Sequence, residues 1–379
     1  MTDHRLASLG LPYSRPATPG AHLHTQIGWI GLGQMGYYMA RNLSKRVTPS
    51  GSQPLPLRVW NRTVEKAEKL QKQLGKQLIV VAKDIEEIVL TCDVIITNLA
   101  NDDVVKEIYE QCARYLRLAP PVKNKIFVET STNTFQILPR LSGELDSLVS
   151  GLAHCHYISC PVFGRPNVAD KAQLLIVMAG EYRSKKEVAY LLVPAVGRKV
   201  IDLGENVEKA PTFKLLGNSM ILGAVEVIAE AFTLGKLVFF YSTKTFFLTR
   251  LSLGDKAGIE AGRINDLIGE ILPAPGLMGY ADRMARDDYD GVDGFSLDGG
   301  IKDASHIRHL TAKYDAPMPM IDIAHQRLIT ARAIHTTQKE EGTQSLDVLD
   351  WTALIAGSRV AAGLDPFHSR KDKAVVEEA

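Results

Sequence analysis

A short apolar run, Gln26 to Gly31, ends on the first glycine of Gly31-Leu32-Gly33-Gln34-Met35-Gly36 and gives way to a helical stretch from Met35 to Arg46. A G-x-G-x-x-G spacing between a buried strand and a helix admits few backbones. The first glycine allows the tight turn, the second lets the main chain approach a pyrophosphate, and the third lets the helix pack close to the strand. The helix N-terminus then offers N–H groups and partial positive charge to phosphates. In this context the motif implies a dinucleotide site formed by all six residues; a plain strand-to-helix turn is the alternative.

The alternation continues. Strand signals recur at Leu57–Trp60, Leu78–Val81, Asp93–Asn98, Lys125–Glu129, His156–Ser159, Leu174–Ala179 and Lys199–Leu203, with helical stretches such as Val64–Leu74 between. Near-continuous apolar strands alternating with helices imply a doubly wound, mostly parallel α/β sheet covered on both faces. From Lys209 the pattern becomes all-helical, over Thr212–Leu234, Gly258–Ile271, Lys302–Lys313, Met320–Gln338 and Leu349–Ala362. A length of 379 residues suits two such domains. The expected division is a disordered arm at 1–24, a Rossmann domain at 25–204 and a helical domain at 205–379, with no internal repeat.

Charge and cysteine content exclude other classes. Lys and Arg total 44 against 43 Asp and Glu, a formal charge of +1. That balance gives no electrostatic reason to expect nucleic acid or a membrane as partner. Four Cys do not make a disulfide scaffold and suit a reducing compartment, here the cytoplasm. Met1 to Gln26 carries Asp3, Pro12, Pro16 and Pro19 and no apolar core of a secretory signal. Arg5 and Arg15 keep a mitochondrial presequence as the alternative. Lys371–Ala379 is charged and expected to fray.

The second strand ends in Trp60-Asn61-Arg62-Thr63. NAD enzymes place Asp or Glu here for the ribose 2′-OH, and that carboxylate repels a 2′-phosphate. Asn61 removes the repulsion, and the Arg62 guanidinium can grip a phosphate in bidentate fashion. NADP is therefore expected over NAD, unless Arg62 is only a solvated loop charge.

The segments IGWIGLGQMG at 27–36, NRT at 61–63, ETST at 129–132, CPVFGRP at 160–166, KLLGN at 214–218 and KDASHI at 302–307 occur in this order. Together they resemble the β-hydroxyacid dehydrogenase family, which includes 3-hydroxyisobutyrate dehydrogenases and glyoxylate or succinic-semialdehyde reductases. The relation extends to 6-phosphogluconate dehydrogenase and, more distantly, to imine reductases. The resemblance implies an NADP-dependent oxidoreductase that moves a hydride between the nicotinamide and a small aldehyde, keto acid or hydroxyacid. It also implies a homodimer formed through the helical domain. An imine reductase, which usually has an acid or Tyr at position 214, and an NADPH-binding regulator without turnover are the rival readings.

Within that resemblance the catalytic K-x-x-x-N falls on Lys214 and Asn218, four apart and hence on one helix face. Lys214 would relay the proton, and Asn218 would bind substrate or hold the lysine. Ser131 would meet the substrate and Thr132 the cofactor, with Asn98 and Leu99 facing the cofactor through their backbone. Lys302 would reach the cofactor, while Asp303 is expected to be structural, favoured by the helix dipole. The family's carboxylate-binding Ser-Gly-Gly turn is replaced by Phe163-Gly164-Arg165. That substitution removes a hydroxyl, adds bulk and implies a less polar substrate, with Arg165 as a possible acid clamp.

His154, Cys155, His156 and Cys160 look like metal ligands, but no matching pair follows at zinc spacing, so a buried strand is expected and no metal. Lys236–Gly254, KLVFFYSTKTFFLTRLSLG, interrupts a helix expected to run from Ala229–Gly235 into Asp255–Ile259. It is rich in Phe, Leu and Thr, with strand propensity. Leu-Gly stands at 234–235 and again at 253–254, and the codons for Gly235-Lys236 and Leu253-Gly254 can hold splice signals. The segment is read as a retained intron or gene-model error in a eukaryotic gene, with a genuine loop or lid as the alternative. Nearly all mature transcripts should then lack these codons, and a chain without 236–254 should be more soluble and at least as active. Transcript sequencing in which most messages keep the segment rejects the intron.

Overall fold

In the computed structural model, which describes residues 11–13, 25–47, 54–131, 138–243, 261–292, 294–361 and 363–367, the apolar runs pair into one nine-stranded sheet. The chain divides into two compact units, Met1–Lys214 and Leu215–Ala379.

The first unit runs β1 (Ile27–Ile30), α1 (Gln34–Ser44), β2 (Leu57–Trp60), α2 (Val64–Leu74), β3 (Ile79–Val81), α3 (Ile85–Thr91), β4 (Val94–Thr97), α4 (Asp102–Leu118), β5 (Lys125–Glu129) and α5 (Leu138–Ser150). It continues through β6 (Cys155–Ser159), β7 (Val162–Phe163), α6 (Pro166–Asp170), β8 (Leu174–Gly180), α7 (Tyr182–Leu192), β9 (Gly197–Asp202) and the start of α8 (Lys209–Thr243). The order is β3-β2-β1-β4-β5-β6-β8-β7, with β9 on β8. Strands β1 to β6 are parallel to one another, and β8 turns antiparallel against β6.

Alternation along each strand builds two cores, one per sheet face. Ile27, Trp29, Val94 and Ile96 enter one core with Met39 and Leu43 of α1. Ile30, Ile95 and Phe127 enter the other with Ile88, Tyr109 and Cys112 of α3 and α4. Each such fully buried aliphatic side chain contributes roughly 1.5–3 kcal/mol of transfer free energy. Reversal of strand order between β1 and β4 opens a crevice at the carboxyl ends of these strands, where α/β sheets bind ligands.

Several expectations change. Residues 11–13 of the arm are packed: Tyr13 is buried in the first core, its ring lies 5.8 Å from that of Tyr182, and its carbonyl accepts from Tyr190 Oη at 3.1 Å. Burial and the neighbouring Asp202 push the Tyr13 phenol far up. The remainder of the arm lies outside the described residues. Cys155 and Cys160 are buried, all four thiols are free, and among the described residues no cluster of three or more His, Cys, Asp or Glu is placed to hold a metal ion.

Helix α8 does not stop at Gly235 but runs to Thr243, so the first residues of the 236–254 segment are helical rather than strand-like. A helix already nucleated extends at little cost, which overrides the strand propensity of Phe and Val. Residues 244–254 lie outside the described set. The stretch Lys209–Thr233 is long and apolar enough to span a membrane, yet half of its most apolar window is buried within the protein, as in a core helix.

The second unit continues with α9 (Ala261–Ile271), α10 (Pro275–Arg286), α11 (Leu297–Lys313), α12 (Pro319–Glu340), a 3-10 turn at Trp351–Leu354 and α13 (Ile355–Ala361). Helix α10 is absent from the sequence reading because the prolines at 273 and 275 resemble a loop; Pro275 instead sits at the first helical position, where its missing N–H costs nothing. Helix α11 starts at Leu297 rather than Lys302, capped by Ser296 Oγ on Gly299 N at 3.1 Å. The helix expected from Leu349 begins later, because Leu349 and Asp350 form bridges with Asp290 and Ser296. The buried Asp350 carboxylate accepts from Phe295 N and from Thr352 N and Oγ1, and so caps the 3-10 turn.

Candidate functional site

At Gly31 the backbone takes φ +101, which L side chains rarely adopt. A Cβ there would lie 2.1 Å from the Asn98 carbonyl oxygen, so only glycine lets the β1 and β4 ends approach. A Cβ on Gly36 would lie 2.3 Å from Gly31 O, which explains the third glycine as the point where α1 presses on the turn. Gly33 is different: it has ordinary φ −67, and nothing lies within 4 Å of its Cβ position. It is the N-cap of α1, and no side chain caps that helix. An open, side-chain-free surface at a helix N-terminus fits a pyrophosphate. Leu32, Gln34 and Met35 complete the turn.

The loop after β2 is pinned to this turn. Asn61 Oδ1 accepts from Leu32 N at 2.8 Å, and Asn61 Nδ2 donates to Thr63 O at 2.9 Å. Both ends of the amide are therefore engaged by the protein. Arg62 and Thr63 are exposed beside it, and Thr63 precedes α2 without capping it through its side chain.

Beyond β4 and β5 a hydrogen-bonded lattice fixes the floor of the crevice. Asn98 Nδ2 donates to Thr130 Oγ1 at 3.1 Å, and that hydroxyl donates to Thr97 O at 2.7 Å. The backbone N–H groups of Asn98 and Leu99 are committed inward, to Ile30 O at 2.9 Å and to Ser131 Oγ at 2.6 Å. Thr132 lies outside the described residues.

Glu129, which the sequence reading passed over, lies beneath Ser131. Its carboxyl accepts from Ser131 N at 2.7 Å and from Thr97 Oγ1 at 2.6 Å. Burial raises the Glu129 carboxyl to about 7, against the opposing pull of those bonds. Its cue in the sequence was an acid closing an otherwise apolar strand. A folded-state value above the unfolded one means that the native state holds the extra proton. Stability should therefore fall as pH rises from about 4.5 to 7 and level off above, by about 3 kcal/mol for this group. Glu226, buried in the second unit and likewise raised to about 7, acts in the same sense. Glu129→Gln should flatten part of the decline in urea midpoints across that window; an unchanged slope rejects the assignment.

Glu129 and Ser131 line a small pocket within the first unit, together with Lys214 at the start of α8. Leu141, Leu145, Pro161 and Pro211 supply apolar wall, and Ser142 and Ser159 add hydroxyls. Lys214 is buried. Its Nζ lies 4.0 Å from the centroid of the Phe163 ring, and Phe163 meets Phe213 edge-on at 6.4 Å. An aromatic face under an ammonium favours the charged lysine. Gly164 follows at φ +142, and a Cβ there would strike Leu174 at 2.5 Å. Arg165, half-buried, is the N-cap of α6, its carbonyl accepting from Val168 N and Ala169 N at 2.9 and 3.0 Å.

Asn218, one turn along α8, belongs to the second unit. It is buried, and its Nδ2 donates to Asp303 Oδ2 at 2.5 Å. The fully buried Asp303 also faces Lys302 Nζ at 3.4 Å. Because α11 begins at Leu297, Asp303 lies in the second turn and acts through these contacts rather than through the helix dipole. Neighbouring His306 is driven down to about 4 by burial, so it stays neutral.

Residues 26–204 match the NAD binding domain of 6-phosphogluconate dehydrogenase. Over 337 residues the chain is 26% identical to the uncharacterized oxidoreductase YfjR of Bacillus subtilis, covering 87% of this chain and 98% of that protein. Identity to the mitochondrial 3-hydroxyisobutyrate dehydrogenase of Drosophila melanogaster is 28% over 310 residues, covering 79% and 82%. The structure of Mycobacterium tuberculosis 3-hydroxyisobutyrate dehydrogenase with L-serine superposes with a TM-score of 0.63 at 22% identity, covering 88% of this chain and 99% of that one. At that identity the likeness is one of fold.

Proposed function

Because this chain belongs to the β-hydroxyacid dehydrogenase family, we propose that it is an oxidoreductase moving a hydride between NADP(H) and a small carbonyl compound or its alcohol, with Lys214 as the proton relay. The carrying observation is the buried Lys214 in one cavity with Ser131, beyond the carboxyl end of β5. In α/β folds that end of the sheet is where ligands gather.

A nicotinamide cofactor, when bound at the Gly31–Gly36 turn, would supply or take the hydride at the substrate carbon. Lys214 Nζ delivers a proton to the carbonyl oxygen during reduction and takes it from the alcohol in reverse. The Phe163 ring face, 4.0 Å from Nζ, holds the lysine side chain in place. Ser131, anchored through Leu99 N and Glu129, borders the substrate with its hydroxyl. Within the second unit Asn218 is held by Asp303, which Lys302 also faces.

Preference for NADP rests on Arg62, exposed beside the glycine turn where no carboxylate repels a 2′-phosphate. Arg62→Ala should weaken NADPH by about 1.5–3 kcal/mol and NADH hardly at all. Fluorescence titration with both cofactors checks this, and equal losses reject Arg62. Turnover itself is tested by following NADPH absorbance against a panel of aldehydes and keto acids. Binding of NADPH without turnover across the panel favours a regulator instead. The reading includes a reducing, cytoplasmic setting, supported by the four free buried thiols. It also includes a homodimer, which light scattering would test.

A further inference from the structure

The cavity beside Lys214 has a charge balance that bears on its occupant. Among the described residues lining it, Lys214 is the one cation and Glu129 the one acid. Glu129 is held in place from two elements, by Thr97 of β4 and by the backbone after β5. Above about pH 7, where Glu129 is ionised, an incoming carboxylate would put a second anion beside it in a small, weakly screened space shared with a single ammonium. Like charges placed together in such a space oppose binding strongly.

Position 163, a Phe, offers no hydroxyl to an anion. Phe163 instead turns its ring face to Lys214 Nζ at 4.0 Å and packs against Phe213. In the adjoining backbone Gly164 takes φ +142 and the Arg165 carbonyl is spent on the first turn of α6. The cavity wall itself sets the apolar side chains of Val105, Leu141, Leu145, Pro161 and Pro211 beside the hydroxyls of Ser131, Ser142 and Ser159. From this juxtaposition we propose that the substrate is a neutral, largely apolar carbonyl compound without a carboxylate, with Phe163 engaging Lys214 and Glu129 opposing a second anion. The inference rests on the oxidoreductase reading and names the substrate class for that same cavity.

Calorimetry on the full chain saturated with NADPH, at pH 8, compares benzamide with benzoate, two inert ligands of similar shape. Benzamide should bind about 100-fold tighter. Glu129→Gln and, separately, Phe163→Ser should each narrow that ratio, so the test survives if one variant fails to fold. Tighter binding of benzoate overturns the proposal, and loss of that binding in Arg165→Ala would assign the site to an acid clamp. Failure of both ligands to bind at millimolar concentration overturns it as well. In parallel, benzaldehyde should be reduced faster than 4-carboxybenzaldehyde, and the reverse order counts against the proposal. If neither aldehyde is reduced while benzamide still binds preferentially, the oxidoreductase reading fails and the ligand class stands.

Discussion

Lys214→Ala should lower kcat by about two to four orders of magnitude, the usual size of a positioned general acid. NADPH affinity should hold within a few-fold, because Lys214 lines the cavity with Ser131 and Glu129, away from the glycine turn. Stability is expected to fall only modestly, since the loss is one aliphatic stem and a contact to Phe163. Steady-state kinetics with single-turnover measurements separate chemistry from binding. Turnover surviving within tenfold means that another group moves the proton.

Gly31→Ala should have an effect of similar size but of another kind. The new methyl would meet backbone, the Asn98 carbonyl at 2.1 Å, rather than a side chain that can swing away. Pairing of Ile30 with Thr97 holds that carbonyl in place. Residue 31 would also keep a φ that alanine avoids, at about 1–3 kcal/mol before any clash. Gly33→Ala is the control, with an ordinary φ and nothing within 4 Å of its Cβ position. Both variants should lose NADPH binding by about 100-fold or more, as expected where backbone must approach a pyrophosphate. Only Gly31→Ala should lower Tm without cofactor. An unchanged Tm for Gly31→Ala would show that the turn tolerates a side chain and would reject this account of the motif.

The sheet was legible because its strands are buried on both faces and announce themselves as unbroken apolar runs. Strands β1, β4 and β5 fall within a residue or two of their expected limits. Helix limits in the second unit were less legible. Pro275, Gly299 and Gly300 lie inside first turns, where helix-breaking residues cost little, and so they hid where α10 and α11 begin. Lys214 and Ser131 share a cavity. Glu129 and the Phe163–Lys214 contact escaped, because both depend on neighbours distant in sequence: Thr97 lies 32 residues from Glu129. No local pattern encodes such a pair. The opposite error occurred at 236–243, where local composition suggested a strand and the preceding helix carried the chain through.

The two-sided engagement of Asn61 has a consequence for how cofactor choice can change. Its carbonyl holds the glycine turn and its amino group holds the Thr63 carbonyl, so one residue ties the phosphate loop to the ribose loop. Asn61→Asp, the substitution that would court a ribose hydroxyl, keeps the first bond and turns the second into a carboxylate facing a carbonyl. Positions 62 and 63 carry no such duty, since their side chains are exposed. Cofactor preference can therefore drift by single steps at 62 and 63 with the fold intact. A step at 61 trades specificity against the shape of the loop itself, which makes that position a ratchet on the divergence of this enzyme.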